Sequence, residues 1–237
     1  MDGIVGSLRL GWNALLLKED AYEEMRADAN PVVKGLILIV VVGLIVALFG
    51  LVGNILEWAS TPDLNEIRDT VFYYLTQMPW WKMAGQDPNF IKNFDQIWNF
   101  NWSLATTLAP TPGKAALDIL LVPIALVVRW LIYGVLAYLF ARWLGGTGDL
   151  SETLGVLALA VAPQALNALN LIPFVEVGNL VSIWAILCAY LGLKTVHKLR
   201  WNRAMYATVL PFLLVIAAAV LAGCLGSAIF AILVKGG

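Results

Sequence analysis

A chain of 237 residues that is 60% hydrophobic and 13% charged is too apolar for an ordinary soluble domain, and it has too few polar residues elsewhere to build a second one. A net charge of −1, with Lys and Arg spread among the connections, excludes a field that would gather nucleic acid. Cys188 and Cys224 both fall in apolar runs, where a thiol behaves as a small hydrophobe, so neither a disulfide framework nor a metal site is expected.

From the start of the chain, Ile4, Val5, Leu8, Trp12, Leu15 and Leu16 recur at three- and four-residue steps, with Ser7, Arg9 and Asn13 between them. This predicts an amphipathic helix suited to the inner membrane surface or to packing beneath the spans. Residues 18–30 are charged and hold a second short helix, with Tyr22 and Met25 on one side and Glu19, Asp20, Glu23 and Glu24 exposed. No basic stretch, apolar core and small-residue cleavage site precede the first span, so that span is expected to be retained.

Pro31 opens the first of five apolar runs: residues 32–56, 119–141, 154–172, 177–193 and 204–234. At about 1.5 Å per helical residue, each is long enough, or nearly so, to cross a hydrocarbon core of about 30 Å. An odd number of runs without polar alternation cannot close into a barrel, and backbone amides in lipid must bond within their own segment. The expected fold is all-α, a polytopic integral membrane protein with a five-transmembrane-helix bundle. Residues 1–30 form its amphipathic N-terminal segment and 31–237 its membrane domain.

Residues 57–112 make the one large piece outside the spans and carry five of the ten Trp residues. Leu64, Ile67, Val71, Tyr74, Leu75 and Met78 trace one helical face and Ile91, Phe94, Ile97 and Trp98 another, predicting two interfacial helices. Trp80, Trp81, Trp98 and Trp102 serve either as an outer belt at the headgroup level or as a contact surface for a membrane protein, a pigment or a quinone. The stretch 108–114, with Pro110, Pro112 and Gly113, leads into the second span. Gly145, Gly146, Thr147 and Gly148 turn the chain before the third, and Asp149 with Glu152 has the spacing of a capping box. That turn lacks the Lys-Ser/Thr of a phosphate cradle. A tight hairpin is expected around Pro173. The last run, 31 residues long, should tilt, bend at Pro211 or protrude.

Nine Lys and Arg residues fall on the N-terminal side of the spans, and five fall on the other, four of them in the long connection between the first two runs. Long segments translocate with weak regard to charge, so the N-terminus is expected in the cytoplasm. Lys194, His197, Lys198, Arg200 and Arg203 make a basic connection expected to meet inner lipid headgroups. His197 is the sole histidine, so one chain cannot supply bis-His haem ligation or a His-rich metal centre. No cofactor is expected.

Arg129 is the one charge deep in a span. An unpaired guanidinium there costs from roughly 2.5 kcal/mol upward, so it should face protein. Gln164, Asn167 and the Leu159 carbonyl, freed because Pro163 has no amide hydrogen, are the expected partners in a midplane polar cluster. Such a cluster serves as a structural tie, a path for a solute or proton, or a site for a partner or lipid headgroup.

From Arg142 to about Leu221 the chain resembles the Yip family, the Ypt/Rab-interacting membrane proteins and their prokaryotic relatives. The carrying features are the Gly145 to Gly148 turn, Ser151-Glu152-Thr153-Leu154, Ala162-Pro163-Gln164-Ala165-Leu166 and Ile172-Pro173. They continue with Ile183-Trp184, Tyr190-Leu191-Gly192-Leu193, His197-Lys198-Leu199, Arg203-Ala204 and Leu210-Pro211. The Gly-Tyr often found before the proline of the third span is replaced here, within Leu159-Ala160-Val161-Ala162, and the aromatic loop is unusually large. The resemblance implies five spans and a cytoplasmic N-terminus; for eukaryotic members it implies trafficking adaptors without catalytic activity, and for prokaryotic members no settled activity. It favours a bacterial cytoplasmic membrane for this prokaryotic-type chain, or ER and Golgi membranes in a eukaryote.

Together these readings point to a non-catalytic organiser, adaptor or accessory subunit whose partners are the bilayer and other membrane proteins, as a hetero- or homo-oligomer. The alternative is a small-solute transporter or channel built around Arg129, although the five spans show no repeated half. An enzyme would need reactive groups that the spacing does not supply.

Overall fold

The computed structural model describes residues 2–60, 62–109, 111–172 and 175–235. The elements run α1 (Asp2–Leu15), α2 (Glu19–Arg26), α3 (Pro31–Ser60), α4 (Leu64–Gln77), α5 (Pro79–Ala84), α6 (Pro88–Leu108) and α7 (Pro112–Trp143). They continue with α8 (Leu150–Ala158), a 3-10 segment (Leu159–Leu171), α9 (Gly178–His197) and α10 (Trp201–Lys235). Five stretches are long and apolar enough to cross a membrane: α3, α7, α8 with its 3-10 continuation, α9 and α10. The expected five-span, all-α architecture is observed. The expected turn at Pro173, and Pro110 before α7, lie outside the described residues, while α10 runs on past Pro211.

α3 is the central column, packed against α7, α8 and the 3-10 segment. It is apolar on every side, so polarity does not choose its packing face. Small side chains do: Pro31, Gly35, Leu38, Ile39, Val42, Gly43, Ala47 and Gly53 form its buried stripe. A Cβ on Gly35 would lie 2.6 Å from the Ala158 Cβ, and one on Gly43 would lie 2.8 Å from the Pro123 Cα. Backbones therefore meet closely enough for dispersion contact to drive association, which lipid tails do not do by exclusion.

The first two helices pack as a hairpin against one end of the bundle. On α1 the buried residues are Ser7, Leu10, Gly11 and Ala14, whereas Ile4, Val5, Leu8, Trp12 and Leu16 stay exposed. The stripe of large apolar side chains is thus not the packing face. A Cβ on Gly11 would lie 2.8 Å from the tip of the Leu38 side chain and in ordinary contact with Ala162, and the Ser7 hydroxyl donates to the Lys34 carbonyl at 3.2 Å. α1 ends with Leu17 at φ 56°, the amide of Leu17 bonding the Ala14 carbonyl and that of Lys18 the Asn13 carbonyl. This is a Schellman close in which Leu takes the place usually given to Gly. Tyr22 Oη and Cys188 Sγ both reach the Ala14 carbonyl, and Trp184 Nε1 donates to the Leu15 carbonyl at 2.8 Å. Trp184 of α9 thereby satisfies the Leu15 carbonyl, and Tyr22 and Cys188 add to the Ala14 carbonyl that the Leu17 amide already meets.

Ion pairs fasten α2 to the same end: Glu19 to Lys194 at 3.6 Å, Arg26 to Glu152 at 3.3 Å and, just beyond it, Asp28 to Lys34 at 2.6 Å. Tyr22 and Met25 face inward as expected. The capping box of Asp149 and Glu152 also forms, so Glu152 serves both its own helix start and Arg26.

At the far end of α3 the chain rises into an arm of three helices, one more than the two expected. Asp63 and Asp87 cap α4 and α6, and Pro79 and Pro88 begin α5 and α6. None of the three has a buried residue. Phe72, Trp81, Phe90, Phe94, Trp98 and Trp102 stack into a zipper, with Trp81 and Phe94 at 4.7 Å and Phe94 and Trp98 at 5.6 Å between centroids.

Two outcomes follow from this packing. Gly43→Val should lower thermal stability by about 1–3 kcal/mol, the usual cost of overpacking, whereas Gly50→Val, whose Cβ would meet nothing within 4 Å, should change it little. Unfolding of the two variants in the same detergent compares them directly. The hydrogen bonds from Lys34 and the Asn30 amide hold the Asp28 carboxyl below its usual range. Its contribution is therefore full above the ordinary carboxylate pKa and is lost as pH falls through the lowered one. Acid should loosen the α1–α2 hairpin less steeply in Asp28→Asn, read by proteolysis near residue 28 across a pH series.

Candidate functional site

α7 places Leu126, Arg129, Trp130 and Tyr133 on one face through the three- and four-residue steps of a helix. Leu157 of α8, Ala160, Val161 and Gln164 of the 3-10 segment, Ser182, Ala185, Ile186 and Ala189 of α9, and Phe212 of α10 complete a side cavity of about 270 Å³. Its walls are mostly apolar. Trp130 Nε1 donates to the Leu154 carbonyl at 2.8 Å, Tyr133 Oη to the Thr208 carbonyl at 3.1 Å and Ser182 Oγ to the Gly178 carbonyl at 2.8 Å. These bonds turn the polar atoms of the wall back into the protein. Arg129 differs: it borders the cavity, is exposed, and its guanidinium has no hydrogen-bond or ion-pair partner among the described residues.

Of the expected partners, Gln164 shares this cavity with Arg129 and Asn167 does not. Asn167 Nδ2 donates instead to Gln164 Oε1 at 2.7 Å, and Asn167 lines a second cavity of about 390 Å³ with Asn54, Glu57, Asn170 and Glu176. The cause is the 3-10 geometry. At three residues per turn and about 2.0 Å per residue, Gln164, Asn167 and Asn170 follow one another up a single row, carrying Asn167 about 6 Å beyond Gln164. The same geometry moves the carbonyl freed by Pro163. A 3-10 bond runs to the residue three back, so the Ala160 carbonyl, in the cavity wall, loses its donor rather than that of Leu159. Asn167 Oδ1 and Asn170 Oδ1 are buried without a hydrogen-bond partner.

The basic connection divides. Lys198, Arg200 and Arg203 are exposed, with Arg203 also donating to the Leu144 carbonyl at 3.0 Å, and Lys194 pairs with Glu19. His197 is not part of that surface. It is 1% exposed, its Nε2 lies 3.0 Å from Thr153 Oγ1, and a Cβ on Gly146 would strike its Nδ1. The absence of a side chain at Gly146 lets the connection close over the ring, burying a histidine that charge patterning alone placed among its basic neighbours.

In the arm, Trp81, Trp98 and Trp102 are half-buried in the zipper and Trp80 is exposed. Tyr73, Tyr74, Ile97 and Phe100, each at least 60% exposed, present the larger apolar surface. Trp130 and Tyr133 in the cavity, and Asn170 and Glu176 in the second one, were not anticipated. The first two stand one and four residues from Arg129, so helical spacing alone could have found them.

Because nothing in the described structure accepts the Arg129 charge, Arg129→Leu should leave the thermal midpoint in detergent unchanged or raise it. A clear drop in that midpoint would reveal a structural tie.

The Yip1 domain family matches residues 12–222 of the chain. No curated protein and no solved structure gives a match.

Proposed function

Because the chain belongs to the Yip1 domain family, and is a multi-pass membrane protein, we propose that it is a non-catalytic organiser or adaptor working through protein and lipid contacts. The aromatic arm carries this reading. A segment with no buried residue that still spends six aromatic rings on holding its own shape presents Tyr73, Tyr74, Ile97 and Phe100 on a fixed scaffold. Rigid aromatic anchors at the membrane edge are suited to docking another membrane protein, since little side-chain entropy is lost on contact. The N-terminal end, with its excess of Lys and Arg, faces the cytoplasm, and the arm faces the other side.

A photoreactive residue placed at Tyr74 or Phe100 should cross-link to one protein in native membranes, and the same probe at Leu121, on the exposed side of α7, should give lipid alone. Tyr73→Ala combined with Tyr74→Ala should abolish that cross-link while leaving the arm folded. Trp81→Ala should weaken it indirectly, by loosening the zipper. Cross-links to lipid only at every arm position would reduce the arm to a membrane anchor. Labelling of a single cysteine near Arg200 from outside intact cells would reverse the assigned orientation.

The Arg129 cavity supports a second reading, a solute path, because it places a charge beside open space within the spans. Uptake of a small anion into vesicles, abolished by Arg129→Gln, would favour it.

A further inference from the structure

We propose that the Arg129 cavity binds the carboxylate of a single-chain amphiphile, a free fatty acid, entering sideways from the bilayer. This deepens the lipid-contact half of the function proposed above and rests on none of the properties of the arm. Three observations set the chemistry. Among the described residues Arg129 is the only ionised group in the cavity wall, and it has no hydrogen-bond or ion-pair partner there, so the site is short by one negative charge. The rest of the wall, including Leu126, Val161, Ile186 and Phe212, matches hydrocarbon. The polar wall atoms of Trp130, Tyr133 and Ser182 are already bonded to backbone carbonyls, which leaves the guanidinium and the side-chain NH2 of Gln164 as donors, and the guanidinium fork fits a carboxylate through two parallel bonds.

Depth decides the kind of lipid. Arg129 stands ten residues after Ile119 and twelve before Ala141, the ends of its apolar run, about 15 and 18 Å along the helix and too far for its side chain to reach either surface by snorkelling. A two-chain phospholipid keeps its phosphate at the headgroup level, whereas a fatty acid has no glycerol backbone to hold its polar end there. The volume agrees. About 270 Å³ accommodates a carboxyl group and the first part of one chain, with the remainder lying between α7 and α10 in lipid. An unpaired guanidinium at this level costs several kcal/mol, and a bound carboxylate removes that cost, so occupancy is favoured by the site itself.

The test uses the full chain, purified in mild detergent and stripped of lipid, with radiolabelled oleate as probe. One oleate should bind per chain. Arg129→Gln should weaken binding at least tenfold, Arg129→Lys should retain part of it, and Ala185→Phe, which fills the cavity without touching the charge, should abolish it. Oleyl alcohol, which carries the same chain without the charge, should bind at least tenfold more weakly than oleate. Equal binding of oleyl alcohol and oleate, or undiminished oleate binding by Arg129→Gln, overturns the site. Preference for dioleoyl phosphatidylglycerol over oleate overturns the single-chain assignment. Arm cross-linking is read in parallel on Arg129→Gln, where it should persist, so loss of one proposal leaves the other standing.

Discussion

The close approach of backbones along α3 is the constraint on which the rest of the structure depends. Gly35 meets Ala158, Gly43 meets Pro123, and Gly53 meets the carbonyl of Asn170, so the column touches α8, α7 and the 3-10 segment at successive levels. In lipid no apolar face is driven from solvent, so contact density must hold helices together, and only small residues allow it. With α7 and the third span both held to α3, the space between them and α9 and α10 is what the Arg129 cavity occupies.

The third span is where this packing departs most from a plain helix. Runs of 3-10 geometry beyond three or four residues are uncommon, yet thirteen residues adopt it here, with Pro163 inside. Proline removes a helix donor in any case, and the tight approach of Gly53 to the Asn170 carbonyl braces the segment against α3. The consequence is chemical as well as architectural. A row of amides, Gln164, Asn167 and Asn170, links the charged cavity at one level to the carboxylate-lined cavity beyond it.

The two ends of the molecule are built on different physics. At the N-terminal end, salt bridges, a capping box and side-chain bonds to the α1 carbonyls bind the hairpin to α3, α8 and α9. At the other end, the arm relies on ring stacking within itself. A polar lock is sensitive to pH and salt; an aromatic zipper is much less so.

What the sequence by itself determined is what hydropathy and local chemistry encode: five spans, the capping box at Asp149 and Glu152, the inward side of α2, and an aromatic segment between the first two spans. These depend on a residue and its near neighbours in the chain. The tertiary structure alone decided which faces meet. It turned the large apolar residues of α1 outward, drew Trp81, Trp98 and Trp102 into the zipper, buried His197 against Thr153, and carried Asn167 one 3-10 turn beyond Gln164 into a cavity separate from that of Arg129. The physical reason is that each depends on a partner from another element of the chain. Where a face is chosen by steric fit rather than by polarity, as at Gly35 and Gly146, the choice belongs to the pair of surfaces, and the local sequence of one helix carries only one of them.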